Sequence, residues 1–157
     1  MLGPVESVFA HTATMVRKIE APDIGVAIIK AKSGAFGALE AANTIYPANL
    51  EETLGVFGEK GTAVIGNTIN SLKSWRFRED FVSEENAMIK KAEKDTGTGH
   101  FKLISDFAEA VRTGREPLVN GEEGRKAVEL ILAMYKSSET GSPVKLPLDS
   151  SYKPGSR

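Results

Sequence analysis

The chain reads as an α+β fold: a predominantly antiparallel sheet of five to seven strands, with two C-terminal helices packed on one face. Three observations predict this. Strand-like segments fill the first two-thirds and are joined by short turns without helical crossovers, which forces antiparallel pairing. Helical periodicity takes over at Phe101 and runs through two capped segments. A short segment, Val144–Leu148, apolar at alternate positions, closes the chain and returns to the sheet.

Val5–Thr14 is rich in β-branched residues and is bounded by Gly3 and Pro4. Asp23–Lys32 follows Pro22 and carries Ile24, Val26 and Ile28 at a period of two, the strand period. Ser33-Gly34 is a turn signal and Ala35–Tyr46 resumes as a strand, so the two read as a hairpin. Pro47 ends it, because proline has no N–H to give to a ladder. Glu51–Phe57 and Thr62–Ile65 flank Gly58-Glu59-Lys60-Gly61, where two glycines bracket two charges in a hairpin turn. Ser71–Phe77, with the only tryptophan, Trp75, is a further strand. Arg78–Gly99 is densely charged and ends in Thr96-Gly97-Thr98-Gly99; it reads as a mobile loop or a loosely packed strand-and-helix excursion, mostly solvated.

In the first helix, Leu103, Ile104, Phe107, Ala108 and Val111 share one face, and Gly114 supplies the left-handed residue beyond its end. The second helix starts at Asn120, whose side chain accepts from first-turn amides, with Glu123 as capping partner. Glu122 and Glu123 also face the positive end of the helix dipole. Val128, Ile131, Leu132 and Tyr135 form the stripe expected to be buried, and Gly141 and Pro143 stop the helix.

A chain of 157 residues predicts one domain, 1–157, which buries roughly 68–70% of its unfolded surface. With 20 basic and 21 acidic residues, a net charge of −1 and no basic patch interleaved with aromatics, no nucleic-acid partner is expected. The absence of cysteine excludes disulfides and thiolate metal sites and fits a reducing cytoplasm. No apolar run approaches the ~18–20 residues of a membrane span, and Met1–Glu6 lacks the layout of a secretory signal. The opening resembles that of a domain cut from a longer chain.

Chemistry-bearing motifs are few. Gly97-Thr98-Gly99 has no third glycine and no strand before it, so it is no dinucleotide loop, and no phosphate loop is present. No His/Asp/Glu group has metal-ligand spacing. The carboxylate pairs Glu51-Glu52 and Glu84-Glu85 are explained by exposure, and Glu122-Glu123 by capping. Of the two histidines, His11 falls mid-strand and reads as a surface or interface residue. His100, at the start of the first helix, reads either as a first-turn residue bonded to backbone or as a ligand contact able to donate or accept near neutral pH. The segment Ala35–Ala42 is dense in alanine and glycine, and small side chains let another layer approach closely. The open sheet face therefore reads as a contact surface for a second copy, the alternative being the solvated face of a monomer.

The run from Asp106 through Thr113-Gly114-Arg115-Glu116-Pro117, Asn120-Gly121-Glu122-Glu123-Gly124-Arg125 and on to Leu148 resembles the C-terminal end of the glucose–fructose oxidoreductase/inositol dehydrogenase (Gfo/Idh/MocA) family. Tyr46–Thr62 is similar to the family's strand–turn–strand around Gly58-Glu59-Lys60-Gly61, and Gly3–Val8 to its first strand after the catalytic helix. The resemblance implies a parent enzyme with an N-terminal Rossmann domain for NAD(P), moving hydride to or from a sugar or polyol. It implies that this chain is the substrate-binding and oligomerisation domain, with the Rossmann domain absent from it and the sheet face used for assembly. The version carrying Asn49-Leu50-Glu51-Glu52-Thr53, with Gly99-His100 before the first helix, looks most like the nucleotide-sugar branch, such as UDP-N-acetyl-amino-glucuronate dehydrogenases. The family's catalytic lysine, in a Glu-Lys-Pro motif, has no counterpart, since Glu59-Lys60-Gly61 is a turn. The Asp-x-x-x-His pair would precede Met1. No catalytic, cofactor-binding or metal residue is therefore expected here, and the candidate substrate contacts are Tyr46, Asn49 and His100. Stand-alone ligand binding and a purely structural dimerisation role are the alternatives.

Overall fold

In the computed structural model, which describes residues 3–48, 50–66, 72–77 and 99–155, the chain divides into two compact units. One is Met1–Tyr46 with Val119–Arg157, the other Pro47–Leu118. Strands β1 (Val5–Ala13), β2 (Ile24–Ala31), β3 (Phe36–Ala42) and β7 (Val144–Lys145) belong to the first, with helix α2 (Gly121–Thr140). Strands β4 (Thr53–Gly58), β5 (Gly61–Gly66) and β6 (Leu72–Phe77) belong to the second, with helix α1 (Gly99–Thr113). Among the described residues every strand pair is antiparallel and seven strands are present, so the α+β class and the expected range of strands hold. The hydrogen bonding groups these strands into two sheets, ordered β3-β2-β1-β7 and β4-β5-β6, where the sequence reading expected one. β3 ends at Ala42 and β4 begins at Thr53, with Pro47, which has no N–H to give to a ladder, in the chain between them.

In the first unit, the register sets Phe9 opposite Ile28 and Ile28 opposite Ala38, while Ala10 pairs Ala27 and Ala27 pairs Leu39. Alternation sends the second set inward. Val8, Ala10, Ala27 and Val144 form the core with Ala133 and Met134 of α2, and Ile29, Leu39, Leu130, Leu146 and Leu148 pack around them. The helix therefore buries Ala133, Met134 and Ser137, with Leu130 half-buried; of the stripe expected, Leu132 and Tyr135 are half-buried and Val128 and Ile131 are exposed. Both stripes have helical spacing. The one with alanine and serine at its centre lets α2 approach β1 closely.

That approach satisfies β1. Its ladder with β7 covers only Ser7 and Val8. Beyond them, the Ala10 N–H donates to Ser137 Oγ (3.0 Å) and the Thr12 N–H to Ser138 Oγ (2.9 Å). Ser137 is wholly buried, and its hydroxyl passes its own hydrogen to the Ser142 carbonyl at 2.8 Å. At the start of α2, Asn120 accepts from the Glu123 N–H at 3.1 Å; at its end, Gly141 is left-handed (φ 63°), both as the sequence indicates.

The second unit is a meander of β4, β5 and β6 plus α1. Gly58 faces Gly61 across the Glu59-Lys60 turn. Gly61 has a steric reason: a Cβ there would lie 2.5 Å from the Arg76 carbonyl oxygen. The Trp75 and Phe77 rings meet tilted at 47°, with centroids 4.8 Å apart. Gly114 (φ 70°) ends α1, where the Arg115 N–H reaches the Ala110 carbonyl (3.2 Å). Only Ala110 of α1 is buried, and the face expected to pack, Leu103, Ile104, Phe107 and Val111, is exposed.

Candidate functional site

The first unit carries one of the three predicted contact residues. Tyr46 follows β3 and is 90% exposed. Asn49 lies outside the described residues. His100 belongs to the second unit, in the first turn of α1, and is exposed. That turn contains no acidic side chain. The far end of α1 is locked: Asp106 accepts from Arg115 Nη2 (2.7 Å) and from the Leu118 N–H (2.8 Å), which fixes the connection 114–118. The Leu118 N–H first, and the Arg115 guanidinium second, hold the Asp106 carboxyl below the usual carboxylate range.

Two polar anchors escaped the sequence reading. Asp23 is 2% exposed, and its carboxylate gathers the N–H groups of Met15 (2.8 Å), Val16 (2.8 Å) and Arg17 (2.7 Å). Its pKa is lowered, chiefly by Arg17, then by Met15 and Val16. The loop 14–22 is thus wrapped around one side chain, and Arg17 also donates to the Asn43 carbonyl (3.0 Å). Glu139 is the second: it accepts from Tyr152 Oη (3.0 Å) and the Gly155 N–H (3.0 Å), tying the C-terminal segment to α2. Burial first, then the hydrogen bond and charge of Glu139, push Tyr152 up to about 12. No local spacing marks either anchor, since their partners, backbone N–H groups and for Glu139 also the Tyr152 hydroxyl, are brought to them only on folding.

No His/Cys/Asp/Glu group able to hold a metal ion occurs among the described residues. A dinucleotide site needs parallel strands linked by a helical crossover, with a glycine-rich turn at a helix start. The described strand pairs are antiparallel, so these residues do not fit NAD(P). No described helix is long and apolar enough to cross a membrane.

Comparison with known proteins gives this architecture a class. Residues 1–146 match the oxidoreductase family, C-terminal alpha/beta domain, the C-terminal domain of the Gfo/Idh/MocA enzymes, and the chain belongs to that family. Among solved structures, it resembles the WlbA dehydrogenase from Bordetella pertussis in complex with NADH and UDP-GlcNAcA, with 36% identity and a TM-score of 0.81 over 94% of this chain and 43% of that one. It likewise resembles the WlbA dehydrogenase from Chromobacterium violaceum, in complex with the same two molecules, at 39% identity and a TM-score of 0.79, covering 94% of this chain and 41% of that one. The myo-inositol 2-dehydrogenase of Thermotoga maritima is 27% identical, over 90% of this chain and 43% of its own length. The chain thus spans about two-fifths of the relatives it matches.

Proposed function

We propose that this chain is the C-terminal domain of an NAD(P)-dependent sugar dehydrogenase acting on a UDP-sugar in the cytoplasm. It supplies one wall of the substrate cleft and the assembly surface, while an N-terminal Rossmann domain supplies the dinucleotide and the hydride-transfer machinery. The observation that carries this is the 36% and 39% identity to two dehydrogenases whose complexes hold NADH and UDP-GlcNAcA. On this reading, Tyr46, Asn49 and His100 contact the substrate. The first turn of α1, free of carboxylates, suits a diphosphate, to which His100 donates from its imidazole.

The open face of the four-stranded sheet is the assembly surface. Its cross-strand rows are Ser7-Lys30-Phe36, Phe9-Ile28-Ala38 and His11-Val26-Glu40. Phe36 (73%), Ile28 (58%) and Val26 (50%) are exposed there, more apolar area in one patch than scattered surface residues leave.

Calorimetry of the isolated chain tests the division of labour. Titration with NADH is expected to give no heat of binding, and mixtures with NAD and UDP-N-acetylglucosaminuronate no NADH. Micromolar affinity for NADH would overturn the assignment of the dinucleotide to another domain.

A further inference from the structure

We infer that the Asn120-Gly121 step at the head of α2 is a site of spontaneous covalent modification, at which the helix cap loses its amide; this stands independently of the proposed function. Of the asparagines in the chain, Asn120 alone is followed by glycine. Glycine matters because the backbone nitrogen of the next residue must close on the Asn120 Cγ, and a side chain there obstructs the approach. Around Gly121 the space is open: a Cβ built on it meets nothing within 4 Å. Gly121 is exposed and Asn120 half-buried, so water reaches both.

The place of the step in the fold decides what opposes the reaction. Asn120 is extended (φ −87°, ψ 179°), and its ψ must turn before the Gly121 nitrogen faces Cγ. Two bonds resist that turn: the Glu123 N–H donates to Asn120 Oδ1 (3.1 Å), and the Gly124 N–H to the Asn120 carbonyl (3.1 Å). Both lie in a first turn whose residues, Gly121 to Gly124, are all exposed, so opening it breaks no core packing. The Gly121 N–H is also among those that a helix start leaves without an intrahelical acceptor, so the ladder does not hold the nitrogen back.

The chemistry needs water and base alone. Hydroxide takes the Gly121 amide proton, the nitrogen bonds to Cγ, and the Cγ–Nδ2 bond breaks, Nδ2 leaving as ammonia after taking a proton from water. The product is a cyclic succinimide. Water opens it in two ways. Cleavage of the new N–Cγ bond leaves aspartate; cleavage of the original peptide C–N bond leaves isoaspartate, with the chain running through Cγ. Nothing is oxidised or reduced. The two products act oppositely on α2. Aspartate keeps an acceptor for the Glu123 N–H and adds negative charge at the positive end of the helix. Isoaspartate lengthens the backbone by a methylene at the cap, and the first turn loses its closure.

Peptide mapping by mass spectrometry reads the site on the purified chain, kept over a time course in mildly alkaline buffer. Conversion is expected to concentrate at Asn120 over every other asparagine, with an isoaspartyl fraction identified by electron-transfer fragmentation. Gly121→Ala, its fold checked by circular dichroism, is expected to slow the conversion severalfold. The aged, isoaspartyl-rich sample is expected to melt below the fresh one, and the Asn120→Asp variant at or above it. An Asn120 that stays intact in the folded chain overturns the inference, and the same chain unfolded in guanidinium then tells whether the cap or the local sequence protects it. Conversion spread evenly over the asparagines, or an undiminished rate in Gly121→Ala, overturns it equally.

Discussion

Asp23 holds the loop 14–22 through a single side chain. One buried carboxylate replaces three separate turns, collecting the backbone of Met15, Val16 and Arg17. Because its folded pKa is depressed, it contributes stability above the unfolded value near ~3.9 that is lost as pH falls through the folded value. Asp106 and Asp149 share the direction, each with a backbone N–H as first cause. Asp23→Asn keeps the shape but accepts fewer N–H groups. The variant is expected to melt several degrees lower at neutral pH, and its Tm to fall less than that of the wild type on acidification below about pH 4, followed by circular dichroism. Nothing in the sequence announces this. An aspartate after Pro22 reads as the start of a strand, and its three partners lie six to eight residues back along the chain. His100 falls in the first turn of α1 as the sequence indicates, whereas β3 ends at Ala42 and not at Tyr46 as read.

At the scale of elements, capping and turn chemistry transferred well from sequence to structure. Asn120, Gly114, Gly141 and the Gly58–Gly61 turn each act through bonds to near neighbours, which a linear reading can see. The buried face of α2 transferred only in part, through the half-buried Leu132 and Tyr135. Two apolar stripes overlap in that helix, and the choice between them depends on β1, which is more than a hundred residues away, as the separations of 127 and 126 for the Ser137 and Ser138 bonds record. Serine on a buried face looks like a defect until the strand edge it serves is known. Ser137→Ala removes the acceptor of the Ala10 N–H and leaves that group buried without a partner. The expected cost is about 1–3 kcal/mol, measured by urea unfolding. Ser138→Ala, at a less buried position, is expected to cost less.

At the scale of the whole molecule, the α+β class and the strand count were legible because short turns force antiparallel pairing. The division into two sheets was not, since it is decided by which strands find partners and not by which segments are strands. The open face gives the test that belongs to this scale. Ile28→Asp places a charge at the centre of the Phe9-Ile28-Ala38 row without touching the core beneath, because Ile28 already stands in solvent. The variant is expected to keep its far-ultraviolet spectrum and Tm while its dissociation constant rises by about tenfold or more in sedimentation equilibrium. Unchanged association would remove the face from the assembly. The pairing of Ser137 and Ser138 with β1 bears on self-association of an unwanted kind. A strand rim with idle amides is a template on which foreign chains can lengthen a sheet into fibrils, and here two hydroxyls already occupy those amides. The same pair that seats the helix therefore acts as a guard against aggregation along that rim.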